Sequence, residues 1–115
     1  MPESAEFLPG TLEMMALHVI GRRSLHGYAI ARAIESASGS RLHVEEGSLY
    51  PALRRMERKG LVAGEWTETD TGRRAREYRL TEDGHQRLAS ARAKWERSAA
   101  AVHAVLGVQD GAIPC

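Results

Sequence analysis

Cysteine is all but missing from this chain: one of its 115 residues is a cysteine, Cys115, in the final position. That count excludes an intramolecular disulfide and leaves no cysteine cluster for a zinc site. The five histidines, 18, 26, 43, 85 and 103, stand at no metal-ligand spacing, so neither a metal nor a cofactor is expected. No apolar run approaches the roughly 20 residues that span a bilayer. The first ten residues, MPESAEFLPG, lack the basic-then-apolar order of a secretory signal. A cytoplasmic protein with no membrane role is expected. Nor can a nucleophile and a base be paired, since Glu45 and Glu46 read as electrostatic companions of a helix start. An enzyme is not expected, and one domain of this size leaves little room for a deep cleft beside a scaffold.

Lysine is nearly as scarce as cysteine, for 14 of the 16 cationic residues are arginine. Arginine suits bidentate contacts with phosphate and guanine. The net charge of +1 and the 43% apolar, 27% charged composition describe an ordinary soluble chain and decide nothing further.

Residues 1–10 read as a flexible arm. From Thr11, a candidate N-cap, Leu12, Met15, Ala16, Val19 and Ile20 recur at helical spacing up to Gly21. A second helix carries Tyr28, Ile30, Ala31 and Ile34 and ends in a Ser/Gly-rich loop at 36–40. RLHV, 41–44, is short enough for a brief strand. A third helix follows in EEGSLYPALRRMERKGL, 45–61. LVAGEWTET and REYRLT alternate as strands of a hairpin whose linker, DTGRRA, is basic, with Trp66 assigned to its packed face. From Thr81 a long helix runs to Gly107, capped by Thr81 and with Glu82 and Asp83 at its positive end. Residues 108–115 show no pattern and read as a disordered tail.

The third helix holds the most information. Leu49, Ala52, Leu53 and Met56 share an inward face, while Ser48, Tyr50, Pro51, Arg54, Arg55 and Arg58 stand on the other side. Proline is tolerated near a helix start. Gly47 removes a side chain where a phosphate or another backbone would approach, and Gly60 ends the helix. A cationic helix preceded by a helix and followed by a basic hairpin is the winged helix-turn-helix order. It would enter the major groove by its N-terminal half, with Arg73, Arg74 and Arg76 set against phosphates or the minor groove. The expected fold is mainly α with a small β hairpin: a winged domain over 11–80 and a dimerisation helix over 81–107.

Three segments, HGYAI at 26–30, EGSLYPALRRMERKGLV at 46–62 and GRRAREYRLTEDG at 72–84, make the chain resemble the PadR-like transcriptional regulators. The resemblance covers nearly all of residues 8–107. It implies a homodimeric, cytoplasmic bacterial repressor of the shorter branch, whose single terminal helix is the dimer arm. Gly47, Ser48, Leu49 and Tyr50 match the family's Gly-Thr-Leu-Tyr-Pro signature, with serine replacing threonine. The resemblance places Ser48 and Tyr50 on the DNA backbone or a base edge. Arg54 and Arg55 fall at positions that are basic or polar in relatives.

Apart from any family, Leu88, Ala91, Trp95, Val102 and Val105 form a seam at three- and four-residue steps, interrupted by Ser98. The preceding residues cannot cover its whole length. A homodimer through helices one and four, with Leu12 and Met15 contributing, is expected to bind double-stranded DNA at a near-palindromic operator. Trp95 has two readings: an aromatic packed against the other subunit, or, by resemblance, a platform for a planar aromatic effector in a gap left by Ala91 and Ala99. Two rival functions remain at this point, a winged-helix protein-interaction module and a ligand sensor without a primary DNA role.

Overall fold

The computed structural model describes residues 1–108; Cys115 and the rest of the expected tail from residue 109 lie outside the described residues. Val108 donates its backbone N–H to the His103 carbonyl at 2.9 Å, just past the end of the last helix. Three helices share one core: α1 (Thr11–Arg22), α2 (Gly27–Ala37) and α3 (Glu46–Arg58). Leu12, Leu17 and Ile20 of α1, Ile30 and Ile34 of α2, and Leu49, Leu53 and Met56 of α3 are buried together. With buried Ala16 between Leu12 and Ile20, they fall at the three- and four-residue spacing that puts apolar groups on one helix face.

Four expectations change. Tyr28, expected on the inner face of α2, is 58% exposed. The buried stripe is Gly27, Ile30, Ala31 and Ile34, and Tyr28 stands about 100° beyond Gly27. Leu12, expected at a subunit contact, is 2% exposed within its own chain's core and has no surface left for a partner. Thr11 is the first residue of α1 and does not cap it. Its hydroxyl donates within reach of the Ala5 carbonyl at 2.7 Å and the Leu8 carbonyl at 2.8 Å, while the Glu6 carboxylate accepts from the Leu12 N–H at 3.1 Å. Residues 3–8 of the arm are therefore anchored to the body. Their strand β1 (Glu3–Ser4) pairs in parallel with β3 (Leu42–His43), and Ala5 is buried.

A second, three-stranded sheet has the order β2-β5-β4, with β2 (Leu25–His26), β4 (Val62–Glu68) and β5 (Arg74–Leu80) antiparallel. The hairpin is the expected one, though β5 begins two residues earlier than the alternation suggests. β2 went unread because two residues carry no periodicity. Gly72, at φ 81°, closes the hairpin turn, where residues of ordinary chirality are strained. The winged helix-turn-helix architecture, mainly α with a small β hairpin, is thus the observed one.

The end of α3 fixes the start of α4 (Glu82–Leu106). Gly60, at φ 76°, lets its own N–H reach the Glu57 carbonyl and the Leu61 N–H reach the Met56 carbonyl, the paired bonds of a Schellman stop. The Thr81 hydroxyl accepts from the Gly84 N–H at 3.0 Å and lies 2.6 Å from the Gly60 carbonyl. Gly84 passes so close to the Leu61 carbonyl that a Cβ there would sit 2.0 Å from its oxygen. Beyond this junction α4 runs for about 37 Å at 1.5 Å per residue, and Gly84 is its one buried residue. Leu88 packs against the core, whereas Val102 is 54% and Val105 85% exposed.

Candidate nucleic-acid interface

With 100° between successive residues, α3 divides into sectors. Leu49, Ala52, Leu53 and Met56 are buried. Directly opposite them stand Gly47, Pro51, Arg54 and Arg58, with Gly47 and both arginines exposed. Among the described residues no carboxylate lies within ion-pair distance of Arg54 or Arg58, since the four such pairs involve His43 twice, Arg55 and Arg76. The outward face therefore carries cations that no carboxylate of the described residues neutralises.

The helix begins at Glu46, which places Pro51 in the second turn and not in the first. Proline there removes the N–H that the Gly47 carbonyl would accept, and its ring crowds that carbonyl. A Cβ at residue 47 would meet nothing within 4 Å. The chain itself does not require a glycine for space at this position, and an outside group has open access to the backbone of the first turn.

Ser48 and Arg55 occupy one flank of the helix. Arg55 pairs with Glu13 of α1 at 3.6 Å, so it ties α3 to α1. Tyr50 and Glu57 occupy the other flank. The Tyr50 ring lies over Gly27, whose missing Cβ would otherwise stand 2.6 Å from Tyr50 Cε1. Burial, reinforced by the Glu46 carboxylate, pushes the Tyr50 hydroxyl above the ordinary phenol range. Burial does the same to Tyr78, followed by the charge of Glu57. Both rings remain protonated donors at neutral pH.

Arg73, Arg74 and Arg76 are all on the hairpin, but the structure gives them different surroundings. Arg73 lies in the exposed turn. Arg74 stands over the Trp66 ring at 5.7 Å from its centroid. Arg76 also reaches that ring, at 5.6 Å, and pairs with Glu57 of α3. Trp66, expected on the packed face of the hairpin, is 58% exposed. Sequence reading missed Trp66, Tyr28, Glu13 and Glu57. The register Trp66↔Arg76 and Glu68↔Arg74 puts an aromatic beside two cations, a signal that appears only once the hairpin turn is fixed.

Along α4, Trp95 meets Phe7 edge to face, with ring centroids 6.2 Å apart. It separates two open clefts between α4 and the body, of about 490 Å³ and about 560 Å³. Met15, His18 and Arg92 line the first; Leu8, Ala91 and Ser98 line the second. Ala99, expected beside Trp95 in a ligand gap, lines neither.

The model of the transcriptional regulator PadR-like family matches residues 16–90. A PadR family transcriptional regulator from Eggerthella lenta is 30% identical, with 87% of this chain and 85% of that one covered and a TM-score of 0.74. A PadR-like transcriptional regulator from Bacillus cereus is 26% identical, covering 90% and 99%, with a TM-score of 0.75. A Streptococcus mutans structure, at 24% identity, 93% and 92% coverage and a TM-score of 0.76, shares the fold.

Proposed function

We propose, from the premise that this chain belongs to the PadR-like family of transcriptional regulators, that it is a homodimeric, sequence-specific DNA-binding repressor of the bacterial cytoplasm. The observation that carries the reading is the outward face of α3, where Arg54 and Arg58 stand exposed on the side away from the core, with no ion-pair partner among the described residues. That face enters the major groove, with Gly47, Ser48, Tyr50 and Pro51 leading and Arg54 reading a base edge. Arg73 and Arg74 of the wing meet phosphates. Arg55 and Arg76, held by Glu13 and Glu57, set the angle of the helix and the wing. Tyr28, exposed in the first turn of α2, joins the backbone contacts.

Dimerisation is supported by the apolar line of α4. Trp95, Val102 and Val105 are left open by their own chain, and a second copy of the same line is the self-complementary cover that a two-fold interface uses. Met15, Leu88, Ala91 and Ser98 complete that seam. Two recognition helices then stand roughly 34 Å apart, the spacing of a near-palindromic operator. The clefts beside Trp95 are where a planar aromatic effector would enter and release the DNA.

An electrophoretic shift with the DNA upstream of the protein's own gene, paired with light scattering, tests the reading. A dimer that retards this fragment in preference to random duplex is expected. A monomer with no preference would overturn it.

A further inference from the structure

Trp66 is the one large apolar side chain that the hairpin leaves open among the described residues; the other exposed ones lie on α4, its end or the N-terminal arm, or, as Tyr28, in α2. Its surroundings are built. The strand register puts Gly64, Trp66, Glu68, Arg74, Arg76 and Tyr78 on one face of the hairpin. Toward the core that face is closed by buried Tyr78, which packs over Gly64. In its middle, Arg76 reaches across to Glu57 of α3. Toward the tip the indole is open, with the guanidinium groups of Arg74 and Arg76 within cation–π distance of its ring. The chain Glu57–Arg76–Trp66 therefore holds a flat apolar ring at a set position relative to α3. Arg74 adds a charge beside it that no carboxylate of the described residues neutralises within ion-pair distance.

An exposed ring with guanidinium groups beside it suits a partner in which apolar sugars alternate with anionic phosphates. We infer that Trp66 is a nucleic-acid contact of the wing, packing on deoxyribose at the edge of the minor groove while Arg74 meets the flanking phosphate. This rests on the DNA-binding reading above and adds a residue and a mode of contact to it. Arg76 is a positioning residue in this arrangement. Its charge is taken up by Glu57, and it acts by holding the indole upright.

The chain has two tryptophans, so two indole N–H signals report on it in a nitrogen-labelled sample, and Trp66→Phe assigns them. On titration with a fluorescein-labelled random-sequence duplex at low salt, the Trp66 signal is expected to shift along the same saturation curve as the anisotropy of the label. Trp66→Ala is expected to weaken binding about tenfold, the order of partly burying one large apolar side chain, and to leave the salt dependence unchanged. Glu57→Ala, which removes the carboxylate that holds Arg76, is expected to reduce the Trp66 shift. If the anisotropy reports bound duplex while the Trp66 signal stays in place, the inference is overturned and the DNA-binding reading stands. If the native chain leaves the anisotropy unchanged, that reading fails and this one with it. The titration uses the native chain, so its outcome does not depend on the folding of a variant.

Discussion

Tyr50 of the recognition helix occupies the space where residue 27 would carry a Cβ: the added carbon would lie 2.6 Å from Tyr50 Cε1 and 3.3 Å from its hydroxyl oxygen. The first helix of the motif thus admits an aromatic of the second only because it starts with glycine. Gly27→Ala is expected to displace the ring and cost about 1–3 kcal/mol, as overpacking does. Thermal unfolding measures the cost, which should shrink when the same change is made in a Tyr50→Ala background. Equal costs of Gly27→Ala in the two backgrounds would mean that the ring does not make the contact.

Gly84 carries the junction between the wing domain and α4. Its Cα passes so near the Leu61 carbonyl that a Cβ would stand 2.0 Å from the oxygen, a backbone atom with little freedom to yield. Gly84→Ala should lower stability by about 3 kcal/mol despite alanine's better helix propensity. A rise in melting temperature would refute the close approach.

The two sets of arginines should respond differently to removal. Arg73→Ala is expected to weaken binding to every duplex and to lower the salt slope by about one unit. Arg54→Ala should relax preference at one operator position by about 1–3 kcal/mol. Salt titrations on selected and random duplexes compare them, and identical profiles would contradict the division of roles.

Glu35 gives the fold an acid-sensitive element. Its carboxylate accepts from the Val44 N–H at 2.9 Å and lies 3.0 Å from His43 Nδ1. The backbone bond first, and the histidine after it, hold its pKa below the ordinary carboxylate value. A lowered folded-state pKa gives stability that is present above the unfolded value and lost as pH falls through the folded one. Glu35→Gln should therefore be less stable than the parent at neutral pH, with the gap closing in acid. A gap that widens as pH falls would have the wrong sign.

Val105 is 85% exposed in the single chain, so a charge there leaves the folded protomer intact. Val105→Glu is expected to place like charges across the α4 seam and to raise the monomer fraction in light scattering. Helical content by circular dichroism should not change. A dimer of undiminished stability would remove this residue from the subunit contact.

The helices, their order and the winged architecture were legible in the residues because apolar spacing reports one-dimensional order. Gly60 and Thr81 announced their stops and starts through local chemistry. Tyr28 and Leu12 were not legible in the same way, because an apolar stripe is about 100° wide and its edges are set by the neighbours that pack on it. The N-terminal arm reads as flexible for a related reason: its anchors are a two-residue strand, a hydroxyl and a buried alanine, each without periodicity.

The arginines mark the limit most clearly. The residue types alone place a cationic helix ahead of a basic hairpin, and three short segments carry the resemblance to the family. Which cations stay free is a matter of distances between elements far apart in the chain. Glu13 takes Arg55 and Glu57 takes Arg76, while Arg54 and Arg58 are left outward, because helix phase and strand register bring carboxylates to the flanks of α3 and not to its face.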